Sequence, residues 1–238
     1  FADLDTVFLR DMAEVNGVVY AVAGGALYSV SALGNATLLG SVADSEETTM
    51  AGNTGNVTIC AGGNYYVWDG TDLTQPEAGA FSNFGSLEYI GNYTVLTEEN
   101  GRRVQWSSLA DPSTLSGLNF ATTEAREDDN IRAMAIGGNL WIFKRKSMEV
   151  WYVTGASGAS ALAPVSGSVI DTGLLAFGLV AKFRAGAFLI GEDGIAYITD
   201  GGGLRPVSTT AVETAIAEGN PVRCFYYEDE GHKFCVIR

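Results

Sequence analysis

The 238-residue chain is 47% apolar and 18% charged, which provides a sizeable core and excludes intrinsic disorder. A net charge of −14 argues against a basic face that grips nucleic-acid phosphates, and equally against docking on anionic lipid. With 30 glycines, 5 prolines and 3 cysteines (Cys60, Cys224, Cys235), the composition suits tight turns and excludes a disulfide scaffold.

Short β-rich runs broken by glycine turns dominate the chain. Val18–Val22 and Leu27–Val30 flank Gly24-Gly25, and Val57–Cys60 and Tyr65–Trp68 flank Gly62-Gly63. A third pair, Tyr93–Leu96 and Val104–Ser107, encloses Asn100-Gly101. Leu140–Phe143 and Glu149–Tyr152 flank the basic turn Lys144-Arg145-Lys146. Phe188–Ile190 and Ile195–Ile198 flank Asp193-Gly194, and Cys224–Tyr227 and Lys233–Ile237 flank Asp229-Glu230-Gly231. Asn-Gly and Asp-Gly between such runs are strong hairpin signals, because both residues of the favoured turns adopt positive φ. The hairpins recur at intervals of about 30 to 48 residues, a period that suits the blades of an all-β propeller. A two-sheet sandwich is the alternative. The repeats share form rather than letters: Trp68-Asp69 stands alone, and the double glycines keep no kelch spacing.

One short helix is expected near 209–218, with Thr210 and Glu213 forming a capping box and Gly219 ending it. Leu109–Asn130 and Gly155–Gly167 read as long connections. The apolar stretch Leu174–Phe183 is far shorter than the ~20 residues that span a bilayer. No secretory signal opens the chain, which starts at Phe1 and stops within the last expected strand. The expectation is therefore one propeller-type domain, 1–238, taken from a longer protein.

The residues offer little chemistry. His232, the sole histidine, sits at a hairpin turn. Ser157, in Gly155-Ala156-Ser157-Gly158-Ala159, lacks the final glycine of a hydrolase elbow. Cys224 and Cys235 would face each other across a turn at 228–231, but no histidine or further cysteine completes a zinc site. The acidic run Glu124, Glu127, Asp128, Asp129 lacks the alternating spacing of a calcium loop and reads as solvated. Gly201-Gly202-Gly203 has no P-loop lysine, and the Asn-x-Ser/Thr triplets at Asn35, Asn56 and Asn92 matter only for a secreted eukaryotic chain. No catalytic, cofactor-binding or metal residues are expected, and no enzyme. Trp68, Trp106, Trp141 and Trp151 suit packing between blades, with Trp141 and Trp151 meeting across one hairpin. A sugar-stacking platform is the competing role, which would make the chain a carbohydrate-binding or glycoside-cleaving propeller. A regulatory protein-binding propeller is a third option.

Several segments resemble the packaged-DNA stabilisation proteins of short-tailed bacteriophages, the tail hub or nozzle family. The resemblance runs from Asn16–Val30 and Ala36–Gly40 through Tyr66–Gln75 to Asn119–Glu124. It continues at Leu140–Phe143, Glu149–Gly155 and Val207–Ile216, in the same order as the family. The family members are considerably longer. The resemblance implies a non-enzymatic virion component, made in the host cytoplasm and assembled as a ring, expected to be a hexamer. Implied partners are the portal adaptor above, a needle or plug below, and genomic DNA that passes without sequence-specific contact. No membrane is involved. An acidic wall suits passage of a duplex, because a basic wall would hold its phosphates. The basic turn Lys144-Arg145-Lys146 is either a solvated tip or a contact to an acidic neighbour.

Overall fold

A computed structural model describes residues 8–183, 185–200 and 202–238. The first sheet contains β1 (Leu9–Val15), β2 (Val18–Ala23), β3 (Ala26–Val30) and β4 (Ala36–Ser41). The second contains β5 (Thr49–Asn53), β6 (Asn56–Ala61), β7 (Asn64–Trp68) and the two-residue β8 (Leu73–Thr74). β9 (Phe84–Ile90), β10 (Tyr93–Glu98), β11 (Arg103–Ser108) and β12 (Asp111–Thr122) make the third. The fourth holds β13 (Asn130–Ile136), β14 (Asn139–Lys144), β15 (Met148–Val153) and β16 (Leu162–Pro164). The fifth holds β17 (Val180–Phe183), β18 (Gly186–Ile190), β19 (Ala196–Asp200) and β20 (Gly203–Pro206). Helix α1 (Thr210–Gly219) then leads to a two-stranded ribbon, β21 (Cys224–Asp229) and β22 (His232–Ile237).

Every sheet is an antiparallel meander in simple chain order. The first strands β1, β5, β9, β13, β17 and β21 gather around one axis, and the later strands step outward. Tight turns make this possible. At Gly62-Gly63 both residues have positive φ (54° and 77°), and a Cβ on Gly62 would lie 2.8 Å from the Cβ of Ala43. Glycine is therefore required there twice over, by backbone conformation and by packing.

Each of the second, third and fourth sheets buries one face on the sheet before it and the other on the sheet after it. Val15, Val22 and Leu27 of the first sheet meet Val57, Ile59, Tyr66 and Trp68 of the second. The opposite face of the second, through Cys60, Tyr65 and Val67, meets Phe84, Leu87 and Leu96 of the third. Tyr93, Val95, Val104 and Trp106 of the third then pack on Leu140, Ile142 and Trp151 of the fourth. Met134, Trp141, Phe143 and Val150 close on Val180, Phe188 and Ile190 of the fifth, with Ile216 and Cys224 joining them. Successive residues of one strand thus serve different cores, as strand alternation demands. That is the packing of a propeller, and the sandwich alternative is set aside.

All six expected hairpins are present, and five of them are the middle two strands of a four-stranded sheet. Several local expectations are corrected. The supposed connection Leu109–Asn130 contains the twelve-residue edge strand β12, whose pairing with β11 is broken by register shifts near Ser107. The Gly155–Gly167 loop contains a short 3-10 turn, Gly158–Ser160, and strand β16. In α1 the N-cap is Thr209 rather than Thr210, and its side chain makes no capping bond. Glu213 instead accepts a hydrogen bond from the Ser208 hydroxyl (2.7 Å). The helix includes Gly219 and ends at Asn220, which adopts the left-handed conformation (φ 46°).

Trp141 and Trp151 do not meet. The register sets Trp141 opposite Val150 and Trp151 opposite Leu140, so the two indoles enter different cores. Cys224 and Cys235 are likewise not opposite one another, because the turn falls at Glu230-Gly231 and pairs Cys224 with Ile237 and Cys235 with Tyr226. All three thiols are free. One face of the β21–β22 ribbon carries Phe225, Tyr227 and Phe234, each more than a third exposed, with Tyr227 stacked on Phe234 (centroids 4.9 Å apart). Gly201 and the chain start at Phe1 lie outside the described residues.

Trp106 is fully buried and donates its indole N–H to the Gly158 carbonyl (2.9 Å). Trp106→Ala is expected to cost about 3–5 kcal/mol, since it opens a cavity between two sheets. Leu38→Ala, at a position 62% exposed, should stay within about 0.5 kcal/mol. Urea denaturation of the two variants beside the parent checks both values.

Candidate functional site

Two polar assemblies stand out against the apolar cores. The first lies at the end of the fourth sheet's middle hairpin. Lys144, at the end of β14, is completely buried. Its ammonium donates to the Arg126 carbonyl (2.6 Å) and lies 3.3 Å from both Asp128 Oδ1 and Glu149 Oε1. Glu149 also accepts from the Ala125 N–H (3.2 Å) and from the Trp151 indole (3.1 Å). Asp128 accepts from the Lys146 N–H (2.7 Å) and the Ser147 hydroxyl (2.9 Å). Burial pulls the Asp128 carboxyl upward, but those two bonds and the Lys144 ammonium outweigh it, and its pKa lies below the ordinary value.

This network corrects two expectations together. The basic turn is no free tip: Lys144 is spent inside the chain, and Arg145 faces Asp129 (3.7 Å) and Asn100 (3.2 Å). The acidic run is not simply solvated, because Asp128 is nearly buried and serves as counter-ion to that same turn. A buried ammonium needs partners on every side, and the chain brings them from the preceding loop, through Arg126 and Asp128, and from Glu149 on the next strand.

The second assembly occupies the axis. Lys182 of β17 reaches Glu88 of β9 (2.5 Å), crossing from the fifth sheet to the third. Glu88 also accepts from the Ala135 N–H (3.1 Å). Asp11 of β1 accepts from the N–H groups of Met12 (2.9 Å) and Met50 (2.8 Å), and burial raises its carboxyl above the usual range despite Arg132 and Arg223 nearby. Arg132 of β13 lies over the Phe177 ring (4.9 Å) and donates to the Phe177 carbonyl (3.3 Å). Cavities of about 270 and 240 Å³ lie on either side of Arg132. The axis is thus crossed by side chains, the Lys182–Glu88 pair above all. Sequence reading passed over this set, because its members lie far apart along the chain and none belongs to a motif.

The family model of the bacteriophage P22 Gp10 β-propeller, a phage-stabilisation family, matches residues 9–238. The chain belongs to that family. Gp10-type propellers are phage structural proteins, so the resemblance noted from the sequence holds, and so does the propeller fold. No curated protein matches the chain. Among solved structures, PorZ of Porphyromonas gingivalis is similar at 15% identity and TM-score 0.58, over 99% of this chain and 34% of its own. The designed protein Ika8 matches at 14% identity and TM-score 0.60, covering 99% and 70% of the two chains. The extracellular domain of BT4673 from B. thetaiotaomicron matches at 9% and 0.63, covering 100% and 31%. This chain therefore spans about a third of the length of the PorZ chain and of the BT4673 extracellular domain. At such identities these likenesses concern the fold alone.

In this Gp10-type propeller the side chains weighed earlier for chemistry do not converge. His232 is exposed at the start of β22, beside the Phe234 ring, and Ser157 is an exposed residue ahead of a 3-10 turn. Burial raises the Cys224 thiol to about 12 and also lifts Cys235, so neither is a reactive thiolate. Among the described residues no group of three histidine, cysteine or acidic side chains is arranged to hold a metal. No helix among them is long and apolar enough to cross a membrane. Trp68, Trp106, Trp141 and Trp151 are all buried, which leaves none free to stack on a sugar.

Lys144→Met should destabilise by about 3–5 kcal/mol, since it strands Asp128 and Glu149 as buried charges. Arg145→Ala should cost less than about 1 kcal/mol, because that pair is exposed. Chemical denaturation separates the two. Asp128 ionises more readily in the folded chain than at the unfolded value of about 3.9, so its contribution is present at neutral pH and fades as pH falls through the lowered folded value. Asp128→Asn should accordingly lower stability at pH 7 and flatten its decline below about pH 4. Denaturation midpoints measured across that range check the slope.

Proposed function

We propose that this chain is the propeller part of a ring-forming hub or nozzle in the tail of a short-tailed phage. In this reading it closes the portal channel, retains packaged DNA and later lines the exit path. The match of the Gp10 propeller family over residues 9–238 carries the proposal. The ring is expected to be a hexamer, with a portal adaptor on one side and a needle or plug on the other. Assembly takes place in the host cytoplasm and the finished ring resides in the virion.

The crossed axis refines the reading. A duplex whose major groove alone is about 12 Å wide has no path through cavities crossed by Lys182–Glu88 and blocked by Arg132. The passage would then lie between protomers, with each propeller acting as a solid wedge of the wall. The net charge of −14 suits such a wall, since it repels phosphate and lets the duplex slide.

Electron microscopy of the intact protein, alone and with its neighbouring tail proteins, tests the proposal. Closed rings with a central opening wide enough for duplex DNA are the expected result. A strictly monomeric protein with no affinity for an adaptor would overturn it. Duplex DNA added at about 0.15 M salt should show no retention on the isolated protein in a mobility assay.

A further inference from the structure

The two cavities flanking Arg132 differ in how their charges are used. Beyond Arg132, Lys182 is committed to Glu88. On the other side, Arg10 is committed to Asp44 (2.9 Å) and to Glu46 (3.8 Å). Asp11 turns both carboxylate oxygens to backbone N–H groups, those of Met12 and Met50. Arg132 and Arg223 remain, and both line the cavity of about 270 Å³. Neither has a carboxylate at ion-pair distance among the described residues. Arg223, exposed at the mouth, donates only to the carbonyls of Arg10 (3.2 Å) and Glu46 (3.3 Å). Arg132, deeper in, donates Nη1 to the Phe177 carbonyl, and its Nε–H is buried without any partner.

A buried donor without an acceptor is rare in native proteins and signals a missing partner. Here the donor belongs to a guanidinium, which stays charged and presents a planar fork of N–H groups matched to two oxygens of one anion. Water in the cavity would satisfy the Nε–H, but of the two arginines' charges only part is offset by the Asp11 carboxylate that shares the cavity, since its oxygens are turned to backbone N–H groups. The two arginines repel, and burial together with that repulsion holds the Arg132 guanidinium below its ordinary pKa, even with Asp11 and Glu88 within electrostatic reach. The cavity is also large enough: one water's share of liquid volume is about 30 Å³, so 270 Å³ admits a small anion with several waters.

We propose that the axial cavity between Arg132 and Arg223 is a binding site for a small oxyanion, held by the Nε edge of Arg132 and closed by Arg223 at the mouth. The anion joins the segment leading into the sixth ribbon, which carries Arg223, to the fourth sheet, which carries Arg132, and so ties the two across the axis. The site does not depend on the tail reading: it concerns one protomer and would exist whatever the propeller assembles with.

The probe is inorganic phosphate, titrated against the intact protein at fixed ionic strength with chloride as the balancing salt. Thermal denaturation should shift upward with rising phosphate beyond any shift in chloride, in the logarithmic manner of a ligand that binds the folded state. Arg223→Met, at an exposed position that folding tolerates, should weaken the apparent phosphate affinity by at least about tenfold. Arg132→Lys, which keeps the charge and removes the fork, should do the same. Arg126→Met, which removes an exposed arginine paired with Asp171 at the rim, should leave the phosphate response intact. A phosphate shift no larger than that of chloride would overturn the proposal. So would an undiminished phosphate response in both Arg223→Met and Arg132→Lys.

Discussion

A four-stranded sheet has two faces, and a chain of short hairpins has no single large core on which to lay them. In this protein the third sheet shows how the difficulty is met. Phe84, Leu87 and Leu96 look toward the second sheet, while Tyr93, Val95 and Trp106 look toward the fourth. Val95 and Leu96 are neighbours in sequence and belong to different cores. No sheet can be stabilised without its neighbours, so the stack must curve round an axis or leave apolar faces in water. Everything else, from the tight glycine turns to the charges gathered at the axis, follows from that requirement.

The same requirement explains what could be read in the sequence. The middle strands of each sheet are covered on both sides, so stretches such as Val57–Ala61 and Leu140–Phe143 appear as nearly unbroken apolar runs. Those runs gave the hairpins and the repeat. Outer strands carry no such mark: β12, with Pro112 and Gly117 and an exposed edge, looks like a loop because a strand covered on one side only needs few apolar residues. Register was the finer failure. Whether Cys224 meets Cys235 depends on which two residues make the turn, and the adjoining Asp229, Glu230 and Gly231 allow more than one choice.

The polar assemblies were harder still. Lys144-Arg145-Lys146 reads as a wet tip because a sequence shows only neighbouring charges, and the counter-ion Asp128 arrives from the preceding loop. The axial residues Asp11, Glu88, Arg132 and Lys182 come from four different sheets, and Arg223 from the segment just before the sixth ribbon. Each was unremarkable in its local context. Their meeting is a product of closure, which no local pattern encodes, and a propeller of this kind places its most charged interior where sequence offers the least warning.

The described sheets are not equally covered. Five sheets have four strands, while the ribbon of β21 and β22 has two, and its Phe225, Tyr227 and Phe234 face has no apolar cover among the described residues. A two-stranded ribbon is marginal by itself and relies on what lies beneath it, here Cys224 and Ile237 against the fifth sheet. Opening events in a folded chain begin where the fewest buried contacts are lost. Within the chain the short outer strand β8 is such a place, and amide protons there would exchange with solvent well before those of the buried β10 or β14.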